Sequence, residues 1–223
     1  MMKLKRSWPV SNKKSQSGNV KVADIKRLLK RYDCPMPYHA VRARFVGCIA
    51  CPSIDTHPVQ ALAALWHGSM PEIPNIDDAN DLMQVLLYGV WNPLTILLSG
   101  NKPFPLKAMR SPRDRAGLKR FSQTRLDEID AFVDGLLDNE GDIELPDTAH
   151  VAVDDLDKIA SFFEAFVQFG DEPQTEAEFG EAVRHAEELS YIAERQINEA
   201  VRACTEARHA ALTSLLDDRP SLH

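Results

Sequence analysis

Residues 175–216 read TEAEFGEAVRHAEELSYIAERQINEAVRACTEARHAALTSLL, and this stretch decides the fold class. Thr175 and Glu178 form the Ser/Thr-x-x-Glu pattern of a capping box, and neither Gly nor Pro occurs between Gly180 and Pro220. Small and apolar residues recur about every 3.67 positions, which fits a straight amphipathic helix better than a strict heptad. The stretch predicts one helix of about 40 residues and about 60 Å.

This helix is longer than a compact domain of the same chain would need, so part of it is expected to pack on a partner or a second copy. The small residues on its apolar stripe would allow close helix approach. We therefore predict self-association as a homodimer, with an interaction surface made by Ala186, Leu189, Ala193, Ile197 and Ala200.

The chain before this helix also shows helical spacing, and almost nothing in it alternates with period two. The expected architecture is all-α: a basic flexible tail over residues 1–21, a multihelical core over 22–170 in two helical parts, and the long C-terminal helix within 171–223. A boundary inside the core is expected near residues 100–112, where prolines cluster.

Three details of the core can be predicted locally. The apolar stretch Leu82 to Leu98 indicates a buried helix that Pro93 must kink or restart, because proline lacks the N–H of a regular helix. Ser111 and Pro112 predict a helix start. Thr124 and Asp127 predict a second capped start, with the next helix running to Asp138.

Composition excludes several classes of protein. Of the 223 residues, 44% are hydrophobic and 26% are charged, which is ordinary for a globular protein and excludes a wholly disordered, collagenous or membrane-spanning chain. The basic N-terminus is followed by no apolar segment, so no signal peptide is expected. Four cysteines do not form a disulfide framework, which favours the cytoplasm.

Charge is strongly segregated along the chain, although the net charge is only −7. Residues 1–50 carry +10, residues 51–101 carry −5, residues 102–125 carry +7 and residues 126–223 carry −19. The basic segment 3–31 could bind nucleic acid by displacing counterions from phosphates. A solubilising tail, or pairing of basic segments with acidic helices of the same chain, accounts for the pattern equally well.

Three groups of side chains are candidate metal ligands, for zinc or another divalent cation. Glu181, His185 and Glu188 share one helix face, although a helix rich in Glu also gives this spacing as a solvated face. Asp127, Asp130 and Asp134 line another face, where pairing with the nearby basic residues is the alternative.

Cys48 and Cys51 form a CxxC pair, which can be half of a zinc site or a redox pair. Small core residues are the alternative, because the pair lies at the end of an apolar helix. No nucleophile elbow, phosphate loop, dinucleotide fingerprint or HExxH occurs, so no catalytic or cofactor-binding residue is predicted.

Residues about 38–170 resemble the YgfB/YecA-like family of bacterial proteins. The similarity lies in Phe45-Val46-Gly47 before the CxxC, in Pro52, in Leu65-Trp66-His67-Gly68, in Asn92 and in the segment Ile129-Asp130-Ala131-Phe132-Val133-Asp134-Gly135-Leu136. The resemblance implies an all-α fold in two helical parts that often self-associates. Some members carry a cysteine-rich zinc tail, which residues 171–223 lack because they contain one cysteine.

Together these observations favour a non-enzymatic cytoplasmic interaction or regulatory protein that acts through helical surfaces and makes no use of a membrane. The alternative is a metal-binding protein or metal-dependent enzyme that uses the carboxylate and histidine faces.

Overall fold

A computed structural model describes residues 20–53, 58–137, 144–171 and 175–217. Within these ranges the protein is all-α, as predicted, and no strand occurs. The predicted tail lies outside the described residues except for residues 20 and 21. The helices are α1 (Val22–Arg31), α2 (Tyr38–Ala50), α3 (Pro58–Ala63), α4 (Ile76–Met83), α5 (Asn92–Ser99), α6 (Arg115–Leu137), α7 (Asp147–Phe169) and α8 (Glu176–Asp217).

Helix α2 is the central helix of the fold. Nearly every residue from Ala40 to Ala50 is buried, so the helix has no solvated face, which is the pattern of a core helix. It packs most extensively on α6, and also contacts α1, α5 and α8. Helices α6, α7 and α8 pack on one another, and α6 and α8 contact α2.

Two glycines allow α2 and α6 to touch backbone to backbone. A Cβ atom built on Gly135 would overlap the carbonyl oxygen of Arg44, and one built on Gly47 would overlap the carbonyl oxygen of Phe132. Gly47 would also place its Cβ 2.7 Å from the backbone nitrogen of Leu136. Only glycine at both positions lets the two helices approach this closely.

The apolar stretch Leu82 to Leu98 is helical throughout, and the helix continues through Pro93 without a break. A π-helical segment, Gln84–Trp91, joins α4 to α5, and the N–H of Asn92 bonds to the carbonyl of Leu87, five residues back. This wider turn makes room for the proline ring before the α-helix resumes. By length and composition Ile76–Ser99 could also cross a membrane, a property that it shares with core helices of soluble proteins.

The predicted second helix start at Thr124 is wrong. Residues Arg115–Leu137 form a single helix, and Thr124 Oγ1 donates to the carbonyl of Arg120 one turn back, 2.8 Å away. This bond is the usual one for a threonine inside a helix, so Thr124 does not cap a new helix.

The long C-terminal helix is confirmed. Glu178 Oε2 accepts from the backbone N–H of Thr175 at 2.8 Å, and Thr175 Oγ1 accepts from the N–H of Glu178 at 3.3 Å, which is the predicted capping box. The helix packs along α7 and is anchored near its far end by Arg208, whose Nη1 donates to the carbonyls of Ile49 and Cys51.

We expect Gly135→Ala to destabilise the protein by about 3 kcal/mol, because the new methyl group must push α6 away from α2. The matched control is Gly180→Ala in α8, where a Cβ would meet no atom within 4 Å. That change should instead stabilise the helix, by about 0.5–1 kcal/mol. Urea unfolding of the two variants measures the difference, and equal effects would contradict the close approach of α2 and α6.

Candidate functional site

A cleft of about 710 Å³ opens between α1, the start of α2 and a single residue of the segment before α6. Its size falls within the range of roughly 300–1,000 Å³ that is typical of ligand pockets. The polar side chains that line it are Lys26, Lys30, Tyr38, His39, Arg42 and Lys107. The apolar part of the lining is made by Val22, Leu29, Cys34, Pro35, Met36 and Pro37. We call this the α1–α2 cleft.

The end of α1 shapes the floor of the cleft. Asp33 adopts a left-handed conformation (φ 47°), which Asp tolerates better than most residues, and the N–H of Cys34 bonds to the carbonyl of Leu29 at 2.9 Å. The chain therefore turns sharply at the end of α1. Pro35 and Pro37 then keep it extended until α2 begins.

The α1–α2 cleft is positively charged. Lys26, Lys30, Arg42 and Lys107 line it without a single carboxylate, and none of the four forms an ion pair within the described ranges. On the same α1 helix, Arg27 pairs with Asp24 at 3.0 Å and Arg31 pairs with Asp78 at 2.8 Å; neither arginine lines the cleft.

The N-terminus of α2 adds to this positive field. Its N-cap residue, Pro37, offers no side-chain hydrogen bond, and the first turn contains no acidic residue. The partial positive charge of the helix terminus is therefore not neutralised by its own sequence. Because Pro37, Tyr38 and His39 line the cleft, this helix end lies at its wall.

Asp127, whose carboxylate contacts the lining residue His39, already has hydrogen-bond partners. Asp127 Oδ2 lies 3.3 Å from His39 Nε2, and its Oδ1 accepts from Gln123 Nε2 at 2.8 Å. Burial opposes the charge of Asp127, but the hydrogen bonds from His39 and Gln123, helped by the charge of Lys107, outweigh burial and lower the pKa of this carboxyl. Asp127 thus stays ionised and orients the His39 ring.

Lys107 is held in place by a buried polar network. Glu128 Oε1 accepts from its backbone N–H at 2.8 Å, and Arg125 Nη2 donates to its carbonyl at 2.9 Å. Arg125 and Glu128 are paired with each other at 2.5 Å in the core, and Arg125 Nε donates to Ser190 at 2.6 Å. The network fixes the backbone from which the Lys107 side chain enters the cleft.

The segment just before Lys107 is fixed in a similar way by α8. The Asn198 side chain forms hydrogen bonds with both backbone groups of Phe104. It accepts from the N–H at 2.6 Å and donates to the carbonyl at 3.0 Å. Glu194 accepts from the N–H of Leu106 at 3.0 Å. The guanidinium of Arg42 lies 4.9 Å from the centre of the buried Phe104 ring, so this cation too is positioned before any ligand arrives.

The titratable groups of the lining favour binding over nucleophilic chemistry. Burial raises the pKa of the Cys34 thiol, and Cys34 Sγ donates to the carbonyl of Leu65 at 3.8 Å. Burial also raises the pKa of Tyr38, despite the opposing charge of Arg42. Both groups are held in their neutral forms, so the cleft presents cations, neutral donors and an apolar surface.

The predicted metal face on α8 is solvent-exposed. Glu181, His185 and Glu188 all lie on the surface, with Glu181 Oε1 4.0 Å from His185 Nε2 and 3.8 Å from Arg184. Across the described parts of the chain, no three His, Cys, Asp or Glu side chains are grouped so as to hold a metal ion.

The three aspartates predicted to share a face of α6 have different partners. Asp127 faces His39, and Asp134 pairs at 3.1 Å with Arg44 of α2, which is not one of the basic residues near α6 in the sequence that were expected to pair with these carboxylates. Asp130 faces other carboxylates instead. Partial burial and the charges of Asp134 and Glu164 raise the pKa of Asp130 to about 6.

The CxxC pair lies in the core at the end of α2. Cys48 and Cys51 are buried, no disulfide joins the cysteines, and the third buried thiol of this region is Cys204 of α8. Burial, and next the proximity of Cys51, raise the pKa of Cys204 to about 12, so this thiol is held in its neutral form. The placement fits the core-residue interpretation.

The predicted interaction surface is buried within the chain itself. Ala186, Ala193, Ile197 and Ala200 are fully buried, and Leu189 is partly buried against the core. The small residues do allow close helix approach, but to α7, α2 and α6 of the same chain. A surface for a second copy built on these five residues is therefore not available; on the stripe, the residues left exposed are Ala211 and Leu215 near the C-terminal end.

Four of the six polar residues that line the cleft were not predicted from the sequence, namely Tyr38, His39, Arg42 and Lys107. Lys26 and Lys30 fall within the segment 3–31 considered for nucleic acid. The useful signal was the pair of basic blocks, 1–50 and 102–125, each of which contributes cations to the same cleft. Several other basic residues of these blocks do pair with acidic residues of the same chain, as between Lys119 and Asp171 at 2.7 Å.

We expect Glu128→Gln to destabilise the protein by about 3 kcal/mol, because it leaves the buried Arg125 guanidinium without an opposing charge. The control is Glu199→Gln, which breaks an exposed pair with Arg202 and should cost less than about 1 kcal/mol. Denaturant unfolding of both variants tests the network, and equal losses would argue against it.

We expect Asp130→Asn to stabilise the protein at pH 7.5 but not at pH 3.5. A carboxyl whose pKa rises from 3.8 to about 6 on folding binds protons in the folded state, so its contribution to stability is lost as pH rises through about 6. Because solvent screens this half-exposed site, the gain at pH 7.5 should be about 1 kcal/mol. Thermal unfolding across this pH range would show the crossover, whereas a constant difference would contradict it.

No family model, no curated protein and no solved structure matches this chain. The resemblance to the YgfB/YecA-like family therefore stays a prediction that rests on the residues quoted above.

Proposed function

We propose that this protein is a non-enzymatic binding protein whose α1–α2 cleft holds an anionic ligand, and that it acts as an interaction or regulatory protein of the cytoplasm. The observation that carries the proposal is the gathering of Lys26, Lys30, Arg42 and Lys107 in one cleft, with no carboxylate among the described residues that line it.

The arrangement is unusual for a chain with a net charge of −7. Acidic residues are abundant enough to neutralise surface cations, and on α1 they do so for Arg27 and Arg31. Lys26 and Lys30 lie four residues apart on the same helix, and both line the cleft without an ion pair to any described residue. Cations without partners are costly to gather because they repel one another, so an anionic ligand is the natural complement.

Two of the four cations are also positioned in advance. Arg42 stacks on Phe104, and the backbone of Lys107 is held by Arg125 and Glu128. Fixing these groups before binding reduces the ordering entropy that a ligand must overcome. Such preparation supports a binding role for the cleft over a merely solvated basic surface.

Self-association, nucleic-acid binding and a cytoplasmic setting are further proposals. Self-association would have to use surfaces other than the buried stripe of α8. Nucleic acid remains an alternative anionic partner, because Lys26 and Lys30 belong to the basic segment 3–31. The cytoplasmic setting rests on cysteine usage.

The test is calorimetric titration of the full chain with inorganic pyrophosphate. We expect saturable binding at one site, and a loss of affinity of about tenfold or more in the double variant Lys26→Ala/Lys30→Ala, because charge-assisted hydrogen bonds to phosphate are lost.

The matched control is Arg27→Ala, which removes a cation from the same helix but outside the cleft and should leave pyrophosphate affinity unchanged. Absence of pyrophosphate binding to the unmodified chain, or equal losses in the two variants, would contradict the proposal.

A further inference from the structure

The cleft has an apolar part that an inorganic anion would leave empty. Leu29, Met36 and the two prolines Pro35 and Pro37 line it beside the ring of Tyr38. A volume of about 710 Å³ is suited to an organic molecule, since pockets of this size enclose drug-sized ligands. The ligand is therefore expected to join an anionic group to an apolar or aromatic body.

The charge of the lining suggests which anionic group it takes. Four cations and the uncapped N-terminus of α2 surround the cleft, and a monocarboxylate would neutralise only one of these charges. Phosphate groups carry more charge and more acceptor oxygens, and they are the usual ligands of Arg, Lys and helix N-termini together. A phosphate or diphosphate group matches the lining better than a carboxylate does.

The apolar part favours a flat body over a flexible chain. Tyr38 offers an aromatic ring that is half-buried and held neutral, and the two prolines Pro35 and Pro37 precede it in sequence. Met36 adds a polarizable sulfur, which makes favourable contacts with aromatic rings. Aromatic side chains beside cations are the combination that stacks bases while the phosphates are neutralised.

We propose that the α1–α2 cleft binds a nucleoside diphosphate or a closely related nucleotide, with its phosphates among Arg42, Lys107, Lys26 and Lys30 and its base against Tyr38. This assignment rests on the proposed anion-binding function and goes further by naming the ligand class. Arg42 supplies a cation held over the Phe104 ring and Lys107 extends from a fixed backbone, whereas Lys26 and Lys30 are exposed and can adjust to the phosphates.

The experiment compares inorganic pyrophosphate, adenosine diphosphate and dodecyl phosphate, titrated separately into the full chain with chelator present. We expect adenosine diphosphate to bind about tenfold tighter than pyrophosphate, because stacking adds to the phosphate contacts. Dodecyl phosphate should bind no better than pyrophosphate. These comparisons need no variant, so they do not depend on the folding of a mutant.

Substitutions of Tyr38 test whether the base lies against this ring. Tyr38→Ala should bring the affinity ratio of adenosine diphosphate to pyrophosphate close to one, and Tyr38→Phe should retain the ratio of the unmodified chain. Lys102→Ala, a cation of the same segment as Lys107 but outside the cleft, should change neither affinity.

The outcomes separate the two proposals. Equal binding of pyrophosphate and adenosine diphosphate would overturn the nucleotide assignment and leave the anion-binding function standing. Tighter binding of dodecyl phosphate would overturn it in favour of an acyl or alkyl phosphate. If none of the three ligands binds, the anion-binding function itself fails.

Discussion

The contact between the backbones of α2 and α6 at Gly47 and Gly135 is the constraint on which the rest of the structure depends. It sets the position of α2, a helix with almost no exposed side chain, against the helix that carries Arg125 and Glu128. Because α2 is fixed there, its N-terminus, Tyr38 and Arg42 are fixed with it. The core and the cleft therefore share one structural origin, and a change at either glycine should disturb both.

A buried ion pair has a second use in this fold. Arg125 and Glu128 could be replaced by apolar residues without loss of core volume, and such replacements often cost little stability. Here, however, the pair also satisfies both backbone groups of Lys107, in a segment that forms no helix and has no sheet partner. Asn198 likewise bonds to both backbone groups of Phe104, and Glu194 accepts a hydrogen bond from the N–H of Leu106. Polar side chains of α6 and α8 thus take the place of a neighbouring strand.

The fold class and the long helix could be predicted from sequence because they depend on local patterns, the capping box at Thr175 and a helical period without Gly or Pro. The helices that pack on the apolar face of α8 could not be predicted. Periodicity shows that a helix face is apolar, but it does not show which element covers that face. The prediction of a helix start at Thr124 failed because the same pattern, a threonine followed three positions later by an acidic residue, occurs both at helix caps and inside helices. The cleft joins residues up to 85 positions apart, Val22 to Lys107, and only the tertiary fold brings them together.

The basic cleft on an acidic protein makes the electrostatics of binding depend on distance. An approaching anion first meets the field of a molecule with a net charge of −7, and at a few ångströms it meets the local field of the cleft. At about 0.1 M ionic strength the Debye length is about 10 Å, so the distant repulsion is largely screened while the close attraction persists. In dilute salt the repulsion reaches further out and slows encounter. The rate of association with an anion should therefore pass through a maximum at intermediate ionic strength, unlike that of a protein which is basic throughout.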